Sequence, residues 1–290
     1  MRLWGLWGVP TLQLPPVSVL EARLDWLSCS AQSEQSSKAL WRNAEGWLER
    51  ESSGGERLRE YKTRGYAGLV AGRIRLARSG PSTILALSGE LAEEYGEPCA
   101  VLADHWSRVD YCVTGVTSRP GFNYARLAHK QALEHRRQRG RGAGITFLDS
   151  QPGGSSLYLG RRTASTYSRL YDKAAESKGD YPGGSWRWEC ELKRHRSEAE
   201  QGRWRLGRPD RSEVLAIVEA SFTRSDVEVP FTTWLIAKTP HPASHRRDSE
   251  RIYRWLQEQV APSAKFLAQV AGVEAVMMAL GISLPNGEDT

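Results

Sequence analysis

The chain has 290 residues, of which 40% are hydrophobic, enough to bury a core without disulfide or metal staples. Lys and Arg outnumber Asp and Glu by 40 to 34, and the net charge of +6 favours a polyanionic partner, most simply nucleic acid. Cys29, Cys99, Cys112 and Cys190 form no C-x-x-C pair, which excludes zinc-finger and thioredoxin-like readings; no apolar run suits a signal peptide or membrane span, so a cytoplasmic protein of a bacterial host is expected.

In chain order, residues 1–20 are Pro- and Gly-rich at first and are expected to form an N-terminal arm. "EARLDWLSCSA" then alternates as a strand, with Leu24 and Trp26 expected on one face and Asp25 and Leu27 on the other. "QSSKALWRNAEGWLERE" places Leu40, Trp41, Ala44, Trp47 and Leu48 at helical spacing and is stopped by "SSGG". "YAGLVAGRIRLARSG" and "STILALSG" form two extended stretches paired as a hairpin, followed by a short helix over "ELAEEYG".

"SRVDYCVTG" is a further strand, in which the pleat sets Val109, Tyr111 and Val113 against Arg108, Asp110 and Cys112. "ARLAHKQALEHRRQRGRGAG" begins as a helix and ends in a basic loop carrying Arg136, Arg137, Arg139 and Arg141, a phosphate-tracking element. "SSLYLG" and "YSRLYDK" read as two strands around a polar turn. "SWRWECELKR" alternates Trp186, Trp188, Cys190 and Leu192 with Arg187, Glu189, Glu191 and Lys193. Helices dominate from "RSEVLAIVEASF" onward. The sum is an α+β fold, a mainly antiparallel sheet with helices packed against it, divided into the arm, a catalytic domain over 21–222 and a C-terminal helical segment over 223–290.

No Walker loop, dinucleotide fingerprint or G-x-S-x-G elbow is present. His241 and His245 are four residues apart around Pro242, with no Glu to complete a zincin motif, and read as loop residues. The remaining chemistry lies in strand-borne carboxylates, Asp110 and Glu189 above all, whose hard oxygens suit Mg²⁺ or Mn²⁺, and in Tyr171, bracketed by Arg169 and Lys173 at an alternation that shares its face. A tyrosine hydroxyl attacks phosphorus only where its oxyanion is stabilised. Glu191 is a further carboxylate on the Glu189 face, His105 reads as a surface residue, and Tyr158 and Tyr167 are rival nucleophiles. "GRWRLGRPDR" offers Arg203, Trp204, Arg205 and Arg208 for stacking on bases and contacting phosphates.

"SSLYLGRRTASTYSRLYDKAAES" resembles the signature of the pT181-type replication initiation factors, a family related to conjugative relaxases: a T-x-Y-x-G-S-x-x-S hairpin leading into R-x-Y-[DE]-K. "RLDWLSCS", "GYAGLVAG", "SRVDYCVT", "RWECELKR" and "YRWLQEQVAPSAKFLAQVAG" resemble other segments of that family in order, over about residues 22–275. The resemblance implies an HUH-endonuclease-like rolling-circle initiator that nicks one origin strand with Mg²⁺ or Mn²⁺ and stays attached to the 5′ phosphate. In that reading Tyr171 is the nucleophile, Asp110, Asp172 and Glu189 hold the metal, and Arg169 and Lys173 serve the phosphate or the tyrosinate. Origin DNA is the implied partner, with a host helicase and a second copy of the chain as further candidates. Thr114 stands where the family often has a second Asp, and Arg161 replaces the serine after the hairpin glycine. A relaxase of the same chemistry and an origin- or operator-binding protein without catalysis are the alternatives.

Overall fold

A computed structural model describes residues 14–63, 65–140, 144–150 and 154–231. The chain divides into Met1–Thr233 and Trp234–Thr290, and every described residue belongs to the first unit. The helices expected after Thr233, together with His241 and His245, lie outside the described residues.

The described elements are ten strands and seven helices. The strands are β1 (Val17–Ala31), β2 (Arg59–Thr63), β3 (Tyr66–Ala71), β4 (Ile74–Ser79), β5 (Ser82–Ser88), β6 (His105–Thr117), β7 (Ile145–Ser150), β8 (Gly154–Leu159), β9 (Thr166–Asp172) and β10 (Ser185–Lys193). The helices are α1 (Glu34–Ser53), α2 (Glu90–Glu94), α3 (Gly96–Leu102), α4 (Tyr124–Arg139), α5 (Lys173–Ser177), α6 (His195–Leu206) and α7 (Arg211–Thr223). All ten strands join one sheet in the order β2-β3-β4-β5-β1-β6-β10-β9-β8-β7, and each neighbouring pair is antiparallel. The α+β reading holds. β1 begins at Val17, inside the stretch expected to be an arm, because residues 17–19 already pair with β6.

The long central strands β1, β6 and β10 are two-sided. Leu24, Leu27, Val109, Tyr111, Val113, Trp186, Trp188 and Cys190 are buried in the hydrophobic core on one face. Helices close that face from behind: Tyr124 of α4 meets Trp186 and Trp188 edge-on and Trp204 of α6 tilts against Trp106, while Phe231, beyond the end of α7, meets Trp188 edge-on. Each of these large aromatic side chains removes much apolar surface from water, and the edge-to-face geometry adds to the gain from burial. The opposite face carries the charged residues of the same strands.

Three differences from the sequence reading have clear causes. A register shift between Leu24 and Trp26 breaks the alternation of β1, so Leu24 and Leu27 share the core face while Trp26 turns to the charged one. "YAGLVAGRIRLARSG" is itself a hairpin, β3 and β4, turning at Gly72 with φ +50°, so the expected two-stranded unit is a meander extended by β2. Lys173 does not continue β9; Asp172 caps α5 by accepting from Ala175 N at 2.9 Å, and the chain leaves the sheet there. No described helix is long and apolar enough to cross a membrane.

Candidate active site

The antiparallel register brings the polar residues of four strands into one array. Across β6 and β10, Asp110 lies opposite Glu191, Cys112 opposite Glu189, and Thr114 opposite Arg187. Across β10 and β9, Glu189 lies opposite Arg169, Arg187 opposite Tyr171, and Glu191 opposite Tyr167. β1 adds Glu21 opposite Thr114. Residues up to 166 positions apart in the chain therefore meet on one small area of sheet.

Asp110 and Glu189 are 2% and 3% exposed. Burial of two carboxylates demands partners. Arg108 grips Asp110 side-on, Nε to Oδ1 at 2.8 Å and Nη2 to Oδ2 at 2.5 Å, and its Nη2 lies 3.0 Å from Glu191. Arg169 Nη2 reaches Asp110 Oδ2 at 3.5 Å and ion-pairs with Glu189 Oε2, though without aligned hydrogen-bond geometry, so that Oε2 accepts no hydrogen bond. Lys193 pairs with Glu191. Burial pushes the Asp110 carboxyl up to about 6, with Arg108 opposing and the Glu191 charge reinforcing the shift. Burial likewise raises Glu189, against the pull of Arg169.

Tyr171 donates its hydroxyl proton to Glu189 Oε1 at 2.6 Å. Burial and then the Glu189 charge push its phenol far above the ordinary tyrosine range, while Arg187 pulls the other way. At rest the group is a neutral phenol already engaged with an acceptor of raised proton affinity, an arrangement through which a proton can pass from one to the other. Lys173, although in α5, returns over the Tyr171 ring at 5.9 Å. Tyr158 and Tyr167 stack on each other with ring centroids 6.1 Å apart.

The structure brings Asp110, Glu189, Arg169, Tyr171 and Lys173 together and leaves Asp172 apart. Asp172 occupies the adjacent, opposite-facing position, and its carboxylate is spent on the α5 cap. It therefore does not join Asp110 and Glu189 on their face, contrary to the expectation that the three lie together. Glu191 shares that face, and His105 is exposed at the start of β6. Asp110, Glu189 and Glu191 offer hard oxygens of the kind a divalent cation takes, and Glu189 Oε2 is buried without a hydrogen bond, but Arg169 Nη2 stands as the cation between two of them. Among the described residues no three His, Cys, Asp or Glu side chains are drawn close enough to form a ready-made metal cluster. The arginines hold the carboxylates instead.

A second polar group adjoins the first. Arg187 Nε donates to Thr114 Oγ1 at 2.8 Å, and its Nη2 donates to Tyr181 OH at 2.9 Å and pairs with Glu21. Thr114 and Tyr181 both donate to Glu21 Oε1, at 2.8 and 2.9 Å. Arg23 joins Glu21 and Asp25, each at 3.2 Å. Burial works against ionising Glu21, yet Arg187, Thr114, Arg23 and Tyr181 together hold its carboxyl below the usual range. Glu21 thus supplies a carboxylate beside Thr114. This group was missed in the sequence; the only trace was the alternating Glu21, Arg23 and Asp25 at the head of β1.

The expected DNA-contacting residues divide. Arg136, Arg137 and Arg139 are exposed in the last turn of α4, with Arg137 3.8 Å from Glu134; Arg141 lies outside the described residues. Trp204 is a core residue, 2% exposed, whose indole N–H donates to the buried Tyr111 hydroxyl at 2.8 Å, and it cannot stack on bases. Arg205 ties α6 to the Ala100 carbonyl at 2.7 Å, and Arg203 pairs with Glu200 and Glu213. That segment is a packing helix, because its Trp falls on the face turned to β6. Trp26, by contrast, lies on the charged face between the guanidinium groups of Arg75 and Arg108, 5.2 and 5.0 Å from its ring.

A ten-stranded antiparallel sheet with helices behind it and a tyrosine-carboxylate-arginine array in front makes an α+β fold. The chain is similar in structure to the rolling circle replication initiator protein from Geobacillus stearothermophilus, with a TM-score of 0.51 and 14% sequence identity over 75% of this chain and 94% of that one. At that identity the likeness is one of fold. No protein-family model and no curated protein matches the sequence.

Proposed function

We propose that this protein is a rolling-circle DNA replication initiator that nicks one strand of its origin by transesterification. The reading rests on the fold likeness and, above all, on the 2.6 Å hydrogen bond from Tyr171 to Glu189 beside two arginines. Tyr171 Oη attacks the scissile phosphorus while its proton passes to Glu189 Oε1. The new phosphotyrosyl bond forms as the bond to the 3′ oxygen breaks, and that oxygen leaves as a hydroxyl able to prime synthesis, taking its proton from solvent. The raised proton affinity of Glu189 suits it to accept. Arg169 and Arg187 flank the phenol and offset the negative charge that develops on the phosphate and the phenol oxygen. Asp110 and Glu189, with Glu191, would hold a Mg²⁺ or Mn²⁺ ion, which when bound polarises the phosphodiester.

The compensation of each carboxylate by an arginine or lysine favours a second reading, a DNA-binding protein that keeps the fold without the chemistry. One experiment separates them. Full-length protein with Mn²⁺ and single-stranded oligonucleotides tiling the DNA around its own coding sequence is run on a denaturing gel. A slower covalent band, lost in Tyr171→Phe, supports the initiator; tight binding with no band on any oligonucleotide supports the binder.

A further inference from the structure

The charged face of the sheet continues past the carboxylates onto the half built by β1 to β5, which the proposed chemistry does not use. The register aligns a basic row there that crosses the strands. Arg59 of β2 lies opposite Val70, Val70 opposite Arg75, Arg75 opposite Ala86, Ala86 opposite Ser28, and Ser28 opposite Arg108. From β2 to β6 this is five strand steps, about 24 Å. Arg59 and Arg75 are exposed, and the row between the arginines carries only Val70, Ala86 and Ser28, short side chains that are half-buried. Nearby Lys62 and Arg73 pair with Glu60 and Glu90, whereas among the described residues no carboxylate pairs with Arg59 or Arg75.

Trp26 lies on the same face two residues before Ser28, half-buried, in the cross-strand row that also holds Ser88, Asp110, Glu191 and Tyr167. Its indole N–H donates to Ser28 Oγ at 2.7 Å, which fixes the polar edge of the ring. The two guanidinium groups on this ring differ in their ties. Arg108 is held by Asp110 and Glu191, while Arg75 has the ring alone. An exposed arginine with no carboxylate can give up an aromatic face to a nucleobase and take the phosphate beside it.

We infer that Trp26 is a stacking platform for one base of a single-stranded DNA, with Arg75 and Arg59 on the adjoining phosphates. The strand then leaves the Asp110 site across β1 and β5 toward β2. The inference rests on the initiator reading for the strand that is bound, and adds where that strand runs. Every base has a π-face, so the platform holds any of them and carries no sequence preference of its own. Bases in a duplex already stack on one another, so the platform selects an unpaired strand.

A short oligothymidylate substituted with 5-iodouracil is the probe. Full-length protein is bound to it, irradiated and digested with trypsin; Trp26 falls in the peptide 24–38 and is the only aromatic residue there. A crosslink on 24–38 is expected. By fluorescence anisotropy, Trp26→Ala should weaken single-strand binding roughly tenfold or more, and Trp26→Phe, which keeps a ring, should retain most of it. Arg59→Ala with Arg75→Ala should flatten the dependence of log K on log salt by about 0.7 for each phosphate given up. Crosslinks on other peptides only, or wild-type affinity in Trp26→Ala with a lowered melting temperature, overturn the platform, make Trp26 a packing residue and leave the initiator reading standing. If Trp26→Ala does not fold, the crosslink and the arginine variant decide: no crosslink on 24–38, or an unchanged slope, overturns the platform. A crosslink on 24–38 without any covalent adduct on a denaturing gel supports the platform and overturns the initiator.

Discussion

Tyr171 and Glu189 lie diagonally on neighbouring antiparallel strands, Tyr171 facing Arg187 and Glu189 facing Arg169, and the phenol donates to the carboxylate at 2.6 Å. The hydrogen bond holds the phenol neutral and gives it a direction. Glu189→Gln keeps the shape and removes the proton acceptor, so the rate of covalent-adduct formation should fall about 100-fold or more. Tyr171→Phe should abolish the adduct. Both are read from single-turnover time courses on denaturing gels, and an unchanged rate in Glu189→Gln would remove it as the base.

Arg169 stands as an internal cation between Asp110 and Glu189. Arg169→Ala should cost about 3 kcal/mol, because two buried carboxylates lose a shared partner. Mn²⁺ should restore more of the lost melting temperature in the variant than it adds to the wild type. Equal shifts in both would mean that these carboxylates are not where the ion binds.

The Asp110 carboxyl titrates near 6 in the fold against 3.8 when exposed, because burial outweighs Arg108. Between those values the folded chain holds a proton that the unfolded chain has lost, so this residue's contribution is most favourable below 3.8 and is lost as pH rises through 6. Relative to Asp110→Asn, the wild type should gain about 2 kcal/mol between pH 7.5 and pH 4. Urea denaturation of both proteins at the two pH values measures it; parallel curves would show that Asp110 is not the group responsible.

Trp204 fills the space over Gly96, where an added Cβ would lie 2.4 Å from its ring, and donates to Tyr111, which in turn donates to Glu200. Trp204→Ala should destabilise the protein by about 3–5 kcal/mol. Among molecules that remain folded, DNA affinity should be unchanged. Loss of affinity without loss of stability would return Trp204 to the DNA interface.

Arg136, Arg137 and Arg139 crowd the C-terminal end of α4, where the helix dipole also welcomes cations. Replacing all three with Ala should weaken binding to unrelated DNA sequences alike and flatten the dependence of log K on log salt, by about 0.9 for each phosphate no longer neutralised. Fluorescence anisotropy at several salt concentrations reads both, and an unchanged slope would take these arginines off the phosphates.

The pleat made most of the site legible. Strict alternation in "SRVDYCVTG" and "SWRWECELKR" put Asp110 and Glu189 on polar faces, and the face of each strand is as expected. What alternation does not encode is the irregularity that ends it. The register shift that turns Trp26 over and the cap at Asp172 that stops β9 depend on tertiary pairing, and the second decided which of the carboxylates near Tyr171 faces the site. Trp204 looked like a DNA contact because its neighbours are arginines, whereas its place on a helix facing β6 was decided by the cavity above Gly96. The contact of Tyr181 with Glu21 and Arg187 had no local signal at all, since it forms only when the turn after α5 folds back over β1 and β10.

Across the charged face the ion pairs sum to nothing: Asp110, Glu189 and Glu191 face Arg108, Arg169 and Lys193, and Glu21 and Asp25 face Arg23 and Arg187. The chain's surplus of +6 therefore resides elsewhere. In the proposed initiator, capture and chemistry would be electrically separate. Ionic strength should govern how often a strand arrives, through charges remote from the tyrosines, and leave almost untouched what happens to the strand once it is seated.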